Sequence, residues 1–294
     1  MKVLNLVNKE ESDIKYEVSK FPDGQQSITI LDIIQNNNTY IQIKSRLNDF
    51  RDLELIICTN AALKNLGLTN LHLYTPYFIG GRSDRKFTEG GVNYLKDVVS
   101  PIINSQGFKS VTVLDPHSDV IEATIQNIKK ENNLKIVKWA LTKIDNTNQA
   151  RESVTLVSPD AGALKKVFDV AQEFEINKLI IASKHRNIKT GKITHTEVPN
   201  LESYNEDNKF VIIDDICDGG RTFIELSKVI KEKIPNAKIY LIVTHGIFSA
   251  GLKPFRGYFD KIYTTNSYRT ITSMEEWGAY NERYLDLVEQ FNIF

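Results

Sequence analysis

The chain has little cysteine and no excess of either charge, and each shortage excludes a class of function. Only Cys58 and Cys217 occur among 294 residues, far apart and without metal-ligand spacing. That argues against a disulfide scaffold or a zinc site and makes a reducing, cytoplasmic compartment the expectation. Lys plus Arg number 37 and Asp plus Glu number 37, so the formal charge is zero. A protein built to grip nucleic-acid backbones normally carries a clear basic excess. No apolar run approaches the roughly 20 residues that span a bilayer. The opening residues 1–13 turn acidic at once, without a signal-peptide core or cleavage site. Low-complexity tracts are missing too. What is present is 41% hydrophobic residues, enough for a buried core, on a chain long enough for two domains of about 150 residues each.

Short apolar runs alternate with amphipathic stretches. Residues 53–58 read as a strand, and 60–66 as a short helix closed by Gly67. Residues 71–78 read as another strand. Val92, Leu95, Val98 and Ile102 recur at helical spacing until Gly107, and 111–114 follow as a strand. The pattern repeats with strands at 154–157, 179–182, 210–213 and 239–244, and with helices at 162–174 and from Thr222. Such alternation implies an α/β fold with mainly parallel sheets flanked by helices. The first stretch, 2–7 through 29–33, looks like β-hairpin material. The polar segment 141–153 is the best boundary, giving one domain over 1–142 and a second over 143–275. Residues 276–294 read as a closing amphipathic helix that joins the first domain.

In open α/β sheets ligands bind beyond the carboxyl ends of the strands, and the loops there carry more charge than a fold requires. The strongest is Phe210-Val-Ile-Ile-Asp-Asp-Ile-Cys-Asp-Gly-Gly-Arg-Thr222. Adjacent carboxylates repel, so Asp214, Asp215 and Asp218 need hydroxyls, cations or a metal nearby to remain ionised. Gly219 and Gly220 let backbone N–H groups converge on an anion at a helix N-terminus. Carboxylates for sugar hydroxyls beside a phosphate cradle describe a ribose-phosphate site. The bland alternative is an acidic turn in which Asp218 caps the helix. Ser158-Pro-Asp-Ala-Gly162 is a weaker acidic turn, for which an N-cap suffices. Asp115-Pro-His117 and the basic run Gly80-Gly-Arg-Ser-Asp-Arg-Lys86 are each compatible with plain surface loops. The long basic segment 182–192 has no helical period; it is either a lid or a surface hairpin.

Taken together and in order, these loops resemble the ribose-phosphate diphosphokinase (phosphoribosyl pyrophosphate synthetase) family. The match includes Phe21-Pro-Asp-Gly24, Pro76-Tyr-Phe78 leading to Arg82–Lys86, Asp115-Pro-His117 and Val157-Ser-Pro-Asp-Ala-Gly162. Lys184-His-Arg186, Asp214-Asp215 with Asp218, and Thr244-His-Gly-Ile-Phe-Ser249 complete it. The resemblance implies two phosphoribosyltransferase-like domains and transfer of the diphosphoryl group of ATP to ribose 5-phosphate, with Mg2+ as cofactor. It implies that Asp214 and Asp215 hold the ribose hydroxyls while Asp218, Gly219, Gly220, Arg221 and Thr222 cradle the 5-phosphate. Arg82 and Asp84 then fall on the ATP side with His117, and His117 and Asp160 on the magnesium side. Lys184 and Arg186 match the catalytic flexible-loop pair. Phe21, Asp23 and Gln25 match an adenine loop shared across a subunit interface, implying a homo-oligomer.

The chain departs from the family in places. Where the family commonly reads Asp-Thr-x-Gly-Thr, this chain has Asp218-Gly-Gly-Arg-Thr222, and Gln25 replaces a usual Glu. Arg221 either adds a charge-assisted phosphate contact or points to solvent. The continuation Phe87-Thr-Glu-Gly-Gly91 lacks the family's basic, Pro-containing pattern. Two rival readings stand beside this one. A phosphoribosyltransferase shares only the Asp214–Thr222 type of loop and leaves the N-terminal motifs unused. A non-catalytic regulatory homologue is expected to lose Lys184, Arg186, His117 or Asp160, and all four are present.

Overall fold

The computed structural model describes residues 1–145, 150–186, 193–271 and 284–294, and divides into two units, 1–132 with Phe294, and 133–293.

The first unit runs β1 (Lys2–Asn5), β2 (Tyr16–Lys20), β3 (Gln26–Ile30), β4 (Ile41–Lys44), α1 (Phe50–Asn65), β5 (Leu71–Tyr74), α2 (Ser100–Ser105), β6 (Ser110–Leu114), α3 (Val120–Thr124) and β7 (Ile128–Glu131). Its sheet has the order β1-β4-β5-β6-β7 with every pair parallel. The N-terminal expectation is therefore corrected in part. Residues 2–5 do not join a hairpin but pair with β4, Lys2 opposite Ile41; the hairpin is β2 with β3, Tyr16 opposite Ile30. Leu4 is buried among Ile41, Ile43 and Leu73, so burial in the parallel sheet decides its partner.

A second correction concerns 53–58, which are helical, inside α1. The Asp49 side chain accepts hydrogen bonds from Arg51 N and Asp52 N, a cap that starts the helix upstream of the apolar run. Leu53, Ile56, Asn60 and Leu63 then form one buried stripe, and Gly67, at φ +79, closes the end. The stretch after Gly91 is helical as expected, but its buried residues are Leu95, Val99 and Ile103. Leu95–Val99 make a wide π turn that leads into α2. Pro101 has no N–H for the usual bond to the carbonyl four residues back, and Ser100 N bonds Leu95 O instead. The buried face consequently steps off the predicted one.

The second unit runs α4 (Leu134–Ile144), α5 (Ala150–Ser153), β8 (Val154–Ser158), α6 (Leu164–Glu173), β9 (Leu179–Ile181), β10 (Ser183–Arg186), β11 (Ile193–Glu197), β12 (Lys209–Cys217), α7 (Arg221–Lys233), β13 (Lys238–Gly246), β14 (Lys261–Thr265) and β15 (Val288–Phe291). The sheet order is β15-β14-β13-β12-β8-β9, again all parallel. Alternate residues of β12 supply the two cores. Phe210 and Ile212 pack with Phe223, Leu226 and Ile230 of α7, whereas Val211 and Ile213 pack with α4 and α6 through Val137, Ala140, Val167 and Val170.

The helix α4 places residues 133–142 in this second unit, which begins eight residues ahead of the polar segment expected to be the boundary. Residues 146–149 of that segment lie outside the described residues. The C-terminal helix is also corrected: of 276–294, residues 276–283 lie outside the described residues, and β15 is an edge strand parallel to β14. Leu287 and Phe291, four apart like a helical stripe, in fact go to different places. Leu287 is buried with the α7-side core, while Phe291 meets Trp139 of α4 edge-on at 5.4 Å.

Candidate active site

At the carboxyl end of β12 the apolar alternation meets two carboxylates. Asp215 continues the α6 side of the strand and is only 4% exposed. Its Oδ2 lies 3.5 Å from Lys166 Nζ on the first turns of α6, and its N–H donates to Asp214 Oδ1 at 2.9 Å. Lys166 was not singled out by the sequence, and its only signal was a position six residues after Asp160 at the start of a predicted helix. Burial, the neighbouring Asp215 and, more weakly, Asp160 push the Asp214 carboxyl well above its usual range. The pair is thus a crowded acidic site whose repulsion is relieved by partners such as Lys166.

Because the Asp214 carboxyl is raised in the folded state, its ionisation costs folding stability. Below pH ~4, the ordinary unfolded range, the group is protonated in both states and the cost vanishes. Above it the cost grows until the pH passes the raised folded value. Asp214→Asn is therefore expected to raise Tm at neutral pH, with the gain fading on acidification. A Tm series from pH 4 to 8 checks this; a variant less stable at pH 8 than wild type contradicts it.

The residue before α7 is Gly220, in the left-handed region at φ +78, and not Asp218, so the helix carries no side chain at its N-cap. Asp218 instead accepts a hydrogen bond from Ser249 Oγ at 2.5 Å, on the loop that follows β13. Cys217 O accepts from both Ile247 N and Phe248 N, so the two strand-end loops are sewn together. Phe223 N and Ile224 N both bond Gly220 O, and a glycine at the N-cap places no side chain over this helix start, the kind of place that suits an anion.

Gly220 is sterically required, since a Cβ there would lie 2.1 Å from Phe255 Cζ. At Gly219 the nearest atom to an added methyl would be Ser249 Oγ at 3.8 Å, so that position is roomy. Arg221 is exposed, and its charge is felt by Lys228 further along α7. Thr222 is partly exposed.

Asp160 follows β8, the neighbour of β12. Its Oδ1 accepts from Gly162 N at 3.0 Å and Ala163 N at 3.2 Å, and Ser158 Oγ donates to its carbonyl. One carboxylate oxygen thus organises the turn into α6, as an N-terminal acid does, while the charge acts on Asp214. The backbones of Lys184 and Arg186 form β10, opposite Thr196 and Ile193 of β11. Their side chains, and residues 187–192 of the expected lid, lie outside what is described.

In the first unit the other group of expected residues sits at the carboxyl ends of β5 and β6. Gly80, at φ +84, turns the chain after Phe78, and Arg82 is exposed just beyond it. Asp84 is held through its carbonyl, which accepts from Asn93 Nδ2 at 2.6 Å. Past β6, Asp115 is buried in the left-handed region at φ +43 and His117 is exposed. Phe21, Asp23 and Gln25 form the tight turn between β2 and β3. Phe21 N bonds Gln25 O, Gln25 N bonds the Asp23 carboxylate, and the Phe21 ring is 52% exposed. The structure therefore brings Asp160, Asp214, Asp215 and Asp218 into one unit, and Phe21, Asp23, Gln25, Arg82, Asp84 and His117 into the other.

Among the described residues no three His, Cys, Asp or Glu are placed to hold a metal ion by themselves. The crowded carboxylates Asp160, Asp214 and Asp215 supply hard oxygen donors of the type a Mg2+ ion accepts. Such an ion commonly takes one or two carboxylates and fills its remaining positions with water and phosphate oxygens.

Known proteins resemble both a central stretch and the chain as a whole. Residues 124–269 match the phosphoribosyl transferase domain family. A ribose-phosphate pyrophosphokinase of Marinomonas sp. (strain MWYL1) is 28% identical over 234 residues, covering 79% of this chain and 71% of that protein. A ribose-phosphate pyrophosphokinase of Saccharolobus solfataricus is 26% identical over 238 residues, covering 79% of this chain and 78% of its own. The crystal structure of a phosphoribosylpyrophosphate synthetase from Mycobacterium smegmatis superposes with a TM-score of 0.78 over 97% of this chain and 88% of that one, at 15% identity. That likeness extends the shared fold across both units.

Proposed function

We propose that this chain, a relative of the ribose-phosphate pyrophosphokinases, transfers the diphosphoryl group of ATP to the 1-hydroxyl of ribose 5-phosphate, releasing AMP. The observation that carries the reading is the pairing of Asp214 and Asp215 with a glycine-built helix entry at the end of one strand. Two carboxyl groups suit the vicinal hydroxyls of a pentose, and the backbone N–H groups at a helix start suit its phosphate. The relatives, ribose-phosphate pyrophosphokinases, add the direction of the chemistry, a pyrophosphoryl transfer to a ribose phosphate.

In this reading Asp214 and Asp215 orient the sugar, with Lys166 holding Asp215 in place, while residues 218–222 seat the 5-phosphate. Arg82, Asp84 and His117 face the polyphosphate, and the Phe21–Gln25 turn meets adenine, in a homo-oligomer by likeness to the family. Transfer of this kind rests on alignment and on cationic groups placed where charge spreads. Lys184 and Arg186 supply them. Asp160 would hold Mg2+ together with phosphate oxygens and water, and the ion when bound would neutralise polyphosphate charge. No side chain is assigned as an indispensable general base.

The test is to incubate the protein with ATP, magnesium and ribose 5-phosphate and to follow AMP. Sugar-dependent AMP together with a diphosphorylated sugar is expected. Consumption of that activated sugar with a free base, without any need for ATP, would establish a phosphoribosyltransferase instead; neither activity would leave the regulatory reading. Within the proposed site, Asp215→Asn is expected to raise KM for ribose 5-phosphate by ~10–100-fold, the worth of a lost charge-assisted hydrogen bond. Turnover at saturating sugar should fall far less. An unchanged KM would return this strand end to a structural role.

A further inference from the structure

The expected ATP-phosphate residues Arg82 and Asp84 lie on a loop, and loops that carry function need an anchor. Here the anchor is the start of the helix that follows. Leu95 N donates to Ser83 O at 3.1 Å, and Ser83 N donates to Gly80 O at 2.8 Å. A Cβ on Gly80 would sit 2.9 Å from the Tyr94 ring, so that turn is pressed against the same helix. A further tie is made by one amide. Asn93 Oδ1 accepts from Lys96 N at 2.9 Å, which caps the helical segment, while Asn93 Nδ2 donates to Asp84 O at 2.6 Å. Its backbone N–H also donates to Asp97 Oδ2 at 3.1 Å.

We infer that Asn93 is a positioning residue for nucleotide binding: its carboxamide caps the Leu95 helical turn with its oxygen and fixes the Arg82–Asp84 loop with its nitrogen. The inference rests on the reading that this loop meets ATP. An amide is needed because both an acceptor and a donor are used at once. Aspartate keeps the acceptor, loses the donor and sets a carboxylate against the Asp84 carbonyl and the Asp97 side chain. Serine caps a helix as well as asparagine does but is too short to reach Asp84 O while capping.

The experiment compares Asn93→Ser, Asn93→Asp and Arg82→Ala with wild type. It measures Tm, the Kd for ATP with magnesium by calorimetry, and the separate KM values for ATP and ribose 5-phosphate. The expected result for Asn93→Ser is a Tm near that of wild type, an ATP Kd and KM raised ~10-fold, and an unchanged sugar KM. Asn93→Asp should be weaker still for ATP. If Arg82→Ala weakens ATP and neither Asn93 variant does, the positioning role is overturned while the loop's assignment stands. If both Asn93 variants lose Tm and weaken both substrates alike, Asn93 serves stability alone. If Arg82→Ala leaves ATP binding intact, the loop's assignment falls and the inference falls with it.

Discussion

Alanine at position 220 is expected to destabilise the second unit by about 2–5 kcal/mol. The left-handed backbone at φ +78 costs an L-residue ~1–2 kcal/mol. The added methyl then falls 2.1 Å from Phe255 Cζ and 2.4 Å from Cε1. That ring cannot step aside cheaply, because Phe255 is fully buried and packed edge-on against Phe248 at 5.6 Å. Forcing it to move is overpacking, worth ~1–3 kcal/mol. Urea denaturation of wild type and variant measures the difference. Gly219→Ala is the control, since its methyl meets nothing closer than 3.8 Å, and it should change stability little. Phe255→Leu in the Gly220→Ala background should recover part of the loss. Equal effects at 219 and 220 would contradict the described turn. The consequence for function is direct: the ring that forbids a side chain at 220 borders the loop proposed to seat the 5-phosphate.

Lys184→Ala is expected to lower kcat by ~10²–10³, the usual loss when one charge-stabilising group leaves a transition state. KM for ribose 5-phosphate should hold, because the sugar is assigned to the far end of β12. The reasoning is that diphosphoryl transfer spreads negative charge over the moving group and the leaving AMP oxygen, so a cation that closes late raises turnover rather than binding. In the proposed reading Lys184 and Arg186 are carried by the ribbon of β10 and β11, whose register shifts between His185 and Arg186. Lys184→Arg should restore part of the rate, since charge is kept and only geometry changes. Near-normal turnover in Lys184→Ala would remove the ribbon from the chemistry.

Two segments fold against their apparent period because two periods compete for one run. Leu-Glu-Leu-Ile-Ile-Cys at 53–58 is rich enough in apolar residues to pass for a strand, and only the Asp49 cap and the burial of Leu53, Ile56 and Leu63 on one side settle it as helix. Residues 276–294 show the opposite case, a stretch with helical spacing in which Val288–Phe291 are an edge strand, while Leu287 just before it and Phe291 find separate partners. Pro101 was visible, yet the π turn it imposes and the one-step change of buried face were not.

By itself the sequence determined the α/β class, the strand ends that bear chemistry and the collinear loops that point to a pentose phosphate and a nucleotide. Those features are local: a run of apolar residues ending in carboxylates and glycines has few ways to fold. Only the tertiary structure decided which groups neighbour them, because that depends on elements distant along the chain. Lys166 reaches Asp215 from α6, Ser249 claims Asp218 from beyond β13, and the Phe255 ring, thirty-five residues downstream, makes Gly220 irreplaceable. Such contacts are fixed by packing, whose outcome no short window of residues contains.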